Sequence, residues 1–111
     1  MIVDQWKGLG VYRSNDALNW EPQATNLLAM PGKNLDDQVI GGHPDVVVSS
    51  DRAYLFYFTI PGRRGDDAKK DTTEQRRSSI QVVELKFENG WLSCDRDETT
   101  FIRLKPNTAK H

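Results

Sequence analysis

Cysteine is almost absent from this chain: Cys94 stands alone among 111 residues. A single thiol excludes an internal disulfide and a cysteine-based zinc site. An excess of charge of one sign is missing too. Lys and Arg number 15 and Asp and Glu 16, a formal net charge of −1, so neither nucleic acid nor a membrane is expected as a bulk electrostatic partner. No apolar run approaches the roughly 18 residues of a membrane span. The start, Met1-Ile2-Val3-Asp4-Gln5-Trp6, lacks the basic opening and apolar stretch of a secretory signal, and a cytoplasmic domain is the expectation. Helical periodicity is scarce as well, which argues against an α-helical or α/β fold.

What is present is a set of short β-branched and aromatic runs between turn residues. Hydrophobic residues make up only 37%, but three Trp, three Tyr and four Phe can fill a core. Leu9–Arg13 reads as a first strand, ended by the turn cluster Ser14-Asn15-Asp16. Residues 26–30 read as a second, broken by Pro31-Gly32. Residues 45–49, with Val46, Val47 and Val48 in a row, suit a strand covered on both faces. A tight turn at Asp51-Arg52 joins them to residues 53–59 as an antiparallel hairpin. Residues 79–87 form a fifth strand whose alternation slips at Val82-Val83, the mark of a bulge. Asn89-Gly90 is the strongest hairpin turn in the chain and leads into residues 91–94. Ten of the seventeen residues in 61–77 are charged, the composition of a long mobile loop. The expected fold is all-β: an antiparallel four-stranded meander over residues 45–94, preceded by two strands. A four-stranded meander is the blade of a β-propeller. Residues 1–32 then form the outer half of one blade, 33–105 a complete final blade and 106–111 a polar tail.

Several motifs carry a family resemblance. Ser14, Asp16 and Trp20 reproduce an S-x-D-x-x-x-W pattern. It resembles the motif joining the third and fourth strands of a blade in five-bladed propeller glycoside hydrolases of the arabinanase and β-xylosidase-like family. Gly41-Gly42-His43-Pro44-Asp45, followed by Tyr54-Leu55-Phe56-Tyr57-Phe58, resembles the beginning of the final blade in such proteins. Ser78-Ser79-Ile80 and Trp91-Leu92-Ser93-Cys94 resemble its outer half. The resemblance implies a partial propeller. It also implies that the family's general base, second Asp and acid Glu, carried on the first three blades, have no counterpart here.

Blade topology puts Asp4, Trp6, Lys7, His43 and Asp45 on one face. Trp6 is a candidate to stack on a sugar ring, with Asp4 accepting hydroxyl hydrogen bonds and Lys7 nearby; the alternative is a Trp packed between blades. His43 is the ligand and metal candidate, by resemblance to a histidine that helps hold an ion such as calcium, with Asp45 as an oxygen neighbour. The alternative is a structural histidine. Asp4 and Asp45 are the only candidate catalytic carboxylates on this face. Glycoside hydrolysis needs such a pair about 5 Å apart for retention, or roughly 6.5 to 9.5 Å for inversion. Trp20 and Cys94 read as packed residues. The expected function is a catalytically incomplete, carbohydrate-binding module of glycoside hydrolase type. The alternative is a non-enzymatic β-module for self-association or protein binding. One and a half blades leave sheet faces and edges uncovered, so a homo-oligomer, with a dimer favoured, is expected in either case.

Overall fold

The computed structural model describes residues 1–62 and 73–104. The fold is all-β, and the described residues include one four-residue helical turn. The elements are β1 (Ile2–Asp4), β2 (Leu9–Arg13), β3 (Glu21–Pro22), β4 (Gly42–Ser49), β5 (Arg52–Thr59), α1 (Thr73–Arg76), β6 (Ser79–Glu88) and β7 (Trp91–Ser93). They form two antiparallel sheets, one of three strands in the order β1-β2-β3 and one of four in the order β4-β5-β6-β7. The second is the expected up-and-down meander.

Three expectations are corrected. Residues 26–30 are not a strand. Leu27 makes one isolated bridge to Leu9, after which Leu28 enters the left-handed region at φ 56° and the pairing ends. The third strand of the first sheet comes instead from β1, with Ile2 opposite Val11 and Asp4 opposite Leu9. Second, β6 pairs with β5 in unbroken register from Ala53↔Leu85 to Thr59↔Ser79. The irregularity lies between Gly42 and Asp45, where Pro44 has no N–H to give a ladder, so a bulge accommodates it. Third, residues 73–76 of the expected loop form α1. The remainder of that loop through residue 72, apart from Pro61 and Gly62, and the 106–111 tail lie outside the described residues.

The hairpins follow from local chemistry. Ser49 pairs with Arg52, leaving a two-residue turn at Ser50 and Asp51. Glu88 pairs with Trp91 around Asn89 (φ 55°) and Gly90 (φ 82°). Two consecutive left-handed residues make a type I′ turn, whose twist matches that of the flanking strands.

The core lies between the sheets. Leu9, Val11, Leu27 and Leu28 pack on Leu55, Tyr57, Val83 and Leu85. In β5 the odd-numbered positions face this core and the even-numbered Tyr54, Phe56 and Phe58 face outward, since successive side chains alternate. Residues 101–104 cross that outer face. Tyr54 Oη donates to the carbonyl of Phe101 at 3.4 Å and accepts from the Arg103 N–H at 3.2 Å.

A buried ion pair closes one end of the core. The side chains of Arg96 and Asp37 are 7% and 2% exposed. Arg96 Nη2 donates to Asp37 Oδ1 at 2.6 Å and its Nε to Oδ2 at 3.2 Å. The same guanidinium donates to the carbonyls of Met30 and Val39, each at 2.7 Å. Tyr57 Oη donates to Asp37 at 2.9 Å. Every strong donor and acceptor is used, which is what a buried charge pair requires. The network ties the irregular segment 28–39 to the chain after β7, and only the last residue of that segment, Val39, lines the cleft described next.

Candidate functional site

A cleft of about 170 Å³ opens beside the β4 bulge, lined mainly by Trp6, Ile40, His43, Phe58 and Ile60, with Asp4 at its base. The turn after β1 positions Trp6. The Gln5 N–H donates to the Gly8 carbonyl at 3.2 Å, and Asp4 Oδ1 accepts from the Trp6 N–H at 2.9 Å. Trp6 itself sits at φ 61°, a region that bulky residues seldom occupy and that costs about 1–3 kcal/mol. The residue is 79% exposed. The turn therefore holds a large aromatic ring out of the core, over the cleft.

His43 forms part of the opposite wall. Its imidazole stacks on the Phe58 ring with centroids 4.6 Å apart and planes 26° from parallel. Its backbone N–H donates to Asp4 Oδ2 at 2.9 Å. Gly42 makes this approach possible, because a Cβ there would stand 2.9 Å from Asp4 Oδ2. Asp4 thus links the two walls, with one carboxylate oxygen on the Trp6 amide and the other on the His43 amide.

The structure brings together three of the five sequence candidates, Asp4, Trp6 and His43. Lys7 does not line the cleft, and its carbonyl accepts from Asn26 Nδ2 at 3.4 Å. Asp45 lines a separate groove with Met1, Ile2 and Pro44. The two carboxylates therefore serve different surfaces, and both oxygens of Asp4 already accept backbone hydrogen bonds. The same facts bear on an ion. A hard cation wants six to eight oxygen ligands, and among the described residues no group of three or more His, Cys, Asp or Glu could hold a metal. The residues present do not fit the calcium implied by the resemblance.

The Ser14–Trp20 motif forms a tightly bonded loop. Asp16 Oδ1 accepts from the N–H groups of Leu18 and Asn19 at 2.9 and 2.8 Å, and Ser14 Oγ accepts from the Ala17 N–H at 2.9 Å. These bonds, the Asn19 amide foremost, hold the Asp16 carboxyl well below the usual carboxylate range. Trp20 lies on the surface, not in the core as expected. Cys94 is half-buried, and burial pushes its thiol up to about 11, which leaves little thiolate at neutral pH.

Sequence reasoning missed Asp37, Arg96 and Tyr57. Asp37 lies in a polar connecting stretch and Arg96 in the charged run Asp95-Arg96-Asp97, so neither carries a local sign of burial. Among the described residues no helix is long and apolar enough to cross a membrane. Compared with known proteins, the chain matches no family model and no curated protein.

Proposed function

We propose that this chain is a partial, propeller-like β-module of glycoside hydrolase type that binds carbohydrate at the Trp6–His43 cleft without hydrolysing it. The observation that carries the reading is the exposed Trp6 indole, held in a strained backbone conformation across from the His43–Phe58 stack. Sugar rings present flat C–H faces, and an aromatic ring with only two side-chain torsions to fix is a good surface for them because little conformational freedom is lost on contact. The meander order of β4 to β7 and the Ser14, Asp16 and Trp20 loop support the propeller-like part of the reading. The commitment of Asp4 to two amides, with Asp45 in another groove, supports binding without turnover. Isothermal titration with soluble arabinan and xylan oligosaccharides tests it. The wild type is expected to bind at least one of them in the micromolar to millimolar range, and Trp6→Ala to weaken that binding at least tenfold. Equal binding by Trp6→Ala, or none by the wild type, would sink the assignment.

A second reading, self-association, is favoured by a different observation. The outer face of β4, β5 and β6 is apolar, with Val47, Phe56, Phe58 and Val82 half-buried and Ile80 82% exposed. Arg52 and Glu84 on that face pair at 3.3 Å, and Asp45, opposite Phe56, adds one carboxylate at the β4 edge of the face. A two-fold dimer through this face is the expected form. Sedimentation equilibrium at micromolar concentration distinguishes it from a monomer, and Ile80→Lys should shift a dimer toward monomer.

A further inference from the structure

A second cleft, beside the Ser14–Trp20 loop and the β6–β7 turn, has features of a ligand site that the reading above does not use. It has a volume of about 640 Å³ and is lined by Arg13, Asn15, Asn19, Trp20, Glu21 and Phe87, among others. That size lies within the range of small-molecule sites. Phe87 continues the inward series Val83, Leu85 along β6, yet it is 72% exposed while those two are buried. The first sheet ends before reaching it. Trp20 stands beside it at 42% exposure, at the end of the loop fixed by Ser14 and Asp16. Two large aromatic rings are therefore presented to solvent in one open cleft.

The polar side of the cleft is built in advance. Arg13 lies over the Trp91 ring at 3.8 Å from its centroid, donates from Nε to Glu21 Oε2 at 3.1 Å and reaches the Gly90 carbonyl at 3.3 Å. This cation–π and ion-pair contact fixes the guanidinium without help from a ligand. Among the lining residues the Arg13 and Glu21 charges cancel, while the ionised Asp16 carboxylate lies behind the lining, bonded within its own loop. Aromatic faces flanked by the Asn15 amide and by the Asn19 amide, which Asp16 Oδ2 orients by accepting from its Nδ2 at 2.9 Å, with no surplus positive charge, suit a ligand that has flat apolar faces and many neutral hydroxyls.

We propose that this second cleft binds a neutral glycan chain, with ring faces on Trp20 and Phe87 and hydroxyls hydrogen-bonding to Asn15, Asn19 and Glu21. The inference is independent of the Trp6 cleft. The openness of the groove suits a segment of a longer chain more than an enclosed monosaccharide. The paired Arg13 and Glu21, with the Asp16 carboxylate behind them, favour uncharged sugars over uronates.

The three tryptophans make the test specific, since Trp6, Trp20 and Trp91 each give one indole N–H signal. The ¹⁵N-labelled chain is titrated with xylohexaose, arabinohexaose and cellohexaose, and with a hexagalacturonate as the charged comparison. The expected result is a saturable shift of the Trp20 signal, with Trp91 following, on addition of at least one neutral hexaose. Phe87→Ser should weaken that shift at least fivefold while leaving any Trp6 shift in place. Trp20→Phe, which keeps a ring in the cleft, guards against misfolding and should retain weakened binding, read at Trp91. A silent Trp20 signal with every neutral hexaose, an unchanged response in Phe87→Ser, or a stronger response to the galacturonate would each overturn the proposal. A silent Trp6 signal would count against the first cleft alone.

Discussion

Asp4 shows how far one side chain can differ from its apparent chemistry. In the sequence it is a carboxylate near a tryptophan; in the fold it is a staple between two backbone amides, those of Trp6 and His43. Its value lies in holding the two cleft walls at a fixed separation, which is what a pre-formed site needs. Tyr57 is the residue whose titration should be visible. Burial, with Asp37 beside it, holds its hydroxyl far above the ordinary value of 10.0. The folded state therefore keeps the neutral phenol at a pH where the unfolded chain ionises. The resulting stability is full below about pH 10 and is lost progressively as pH rises from there toward the folded-state value, at up to about 1.4 kcal/mol per pH unit. Thermal melts between pH 8 and 11 should show a steeper alkaline loss in the wild type than in Tyr57→Phe. Parallel slopes would mean that Tyr57 is not held neutral by the fold.

Among the elements, those legible in the sequence were the long ones. β5 and β6 run for 8 and 10 residues, enough for β-branched and aromatic enrichment to stand out, and Asn89-Gly90 marks its own turn. β1 and β3 have 3 and 2 residues, too few for any alternation to register. The sequence points to a bulge at Val82-Val83 because two adjacent apolar residues break a period of two. Both faces of that strand are in fact apolar, Val83 facing the core and Val82 lying opposite Phe56 on the outer face, so a regular strand gives the same pattern. Of the candidate site, the turn aromatic and the Gly-His-Pro lead-in were readable. The ion pair that anchors the segment leading into it was not, because Asp37 and Arg96 are 59 positions apart and find each other only in the folded chain. The β6–β7 hairpin offers a test at this scale. An added Cβ at Gly90 would stand 2.6 Å from Arg13 Nη1, in a left-handed backbone conformation. Gly90→Ala should destabilise by about 1–2 kcal/mol in denaturant titration and should displace Arg13 from Trp91. A change near zero would show that the turn does not need its glycine.

At the scale of the whole molecule, two thin sheets and a modest core depend on the Arg96–Asp37–Tyr57 network to fix the loops between them. Arg96→Met keeps volume but leaves Asp37 buried without its cation, and it should cost about 3–5 kcal/mol, a large share of the stability of a small domain. A drop in melting temperature of only a degree or two would show that the network is peripheral.

The central claim is that this module binds carbohydrate and does not cleave it. The most direct test is saturation-transfer difference NMR on arabinohexaose or xylohexaose incubated with the wild-type chain, because one set of spectra reports contact and turnover together. The account predicts saturation transfer to ring protons of at least one oligosaccharide, reduced in Trp6→Ala, with no growth of new reducing-end anomeric signals over a day. Absence of transfer to either sugar would contradict the binding claim, and growing reducing-end signals would show that the chain is a hydrolase.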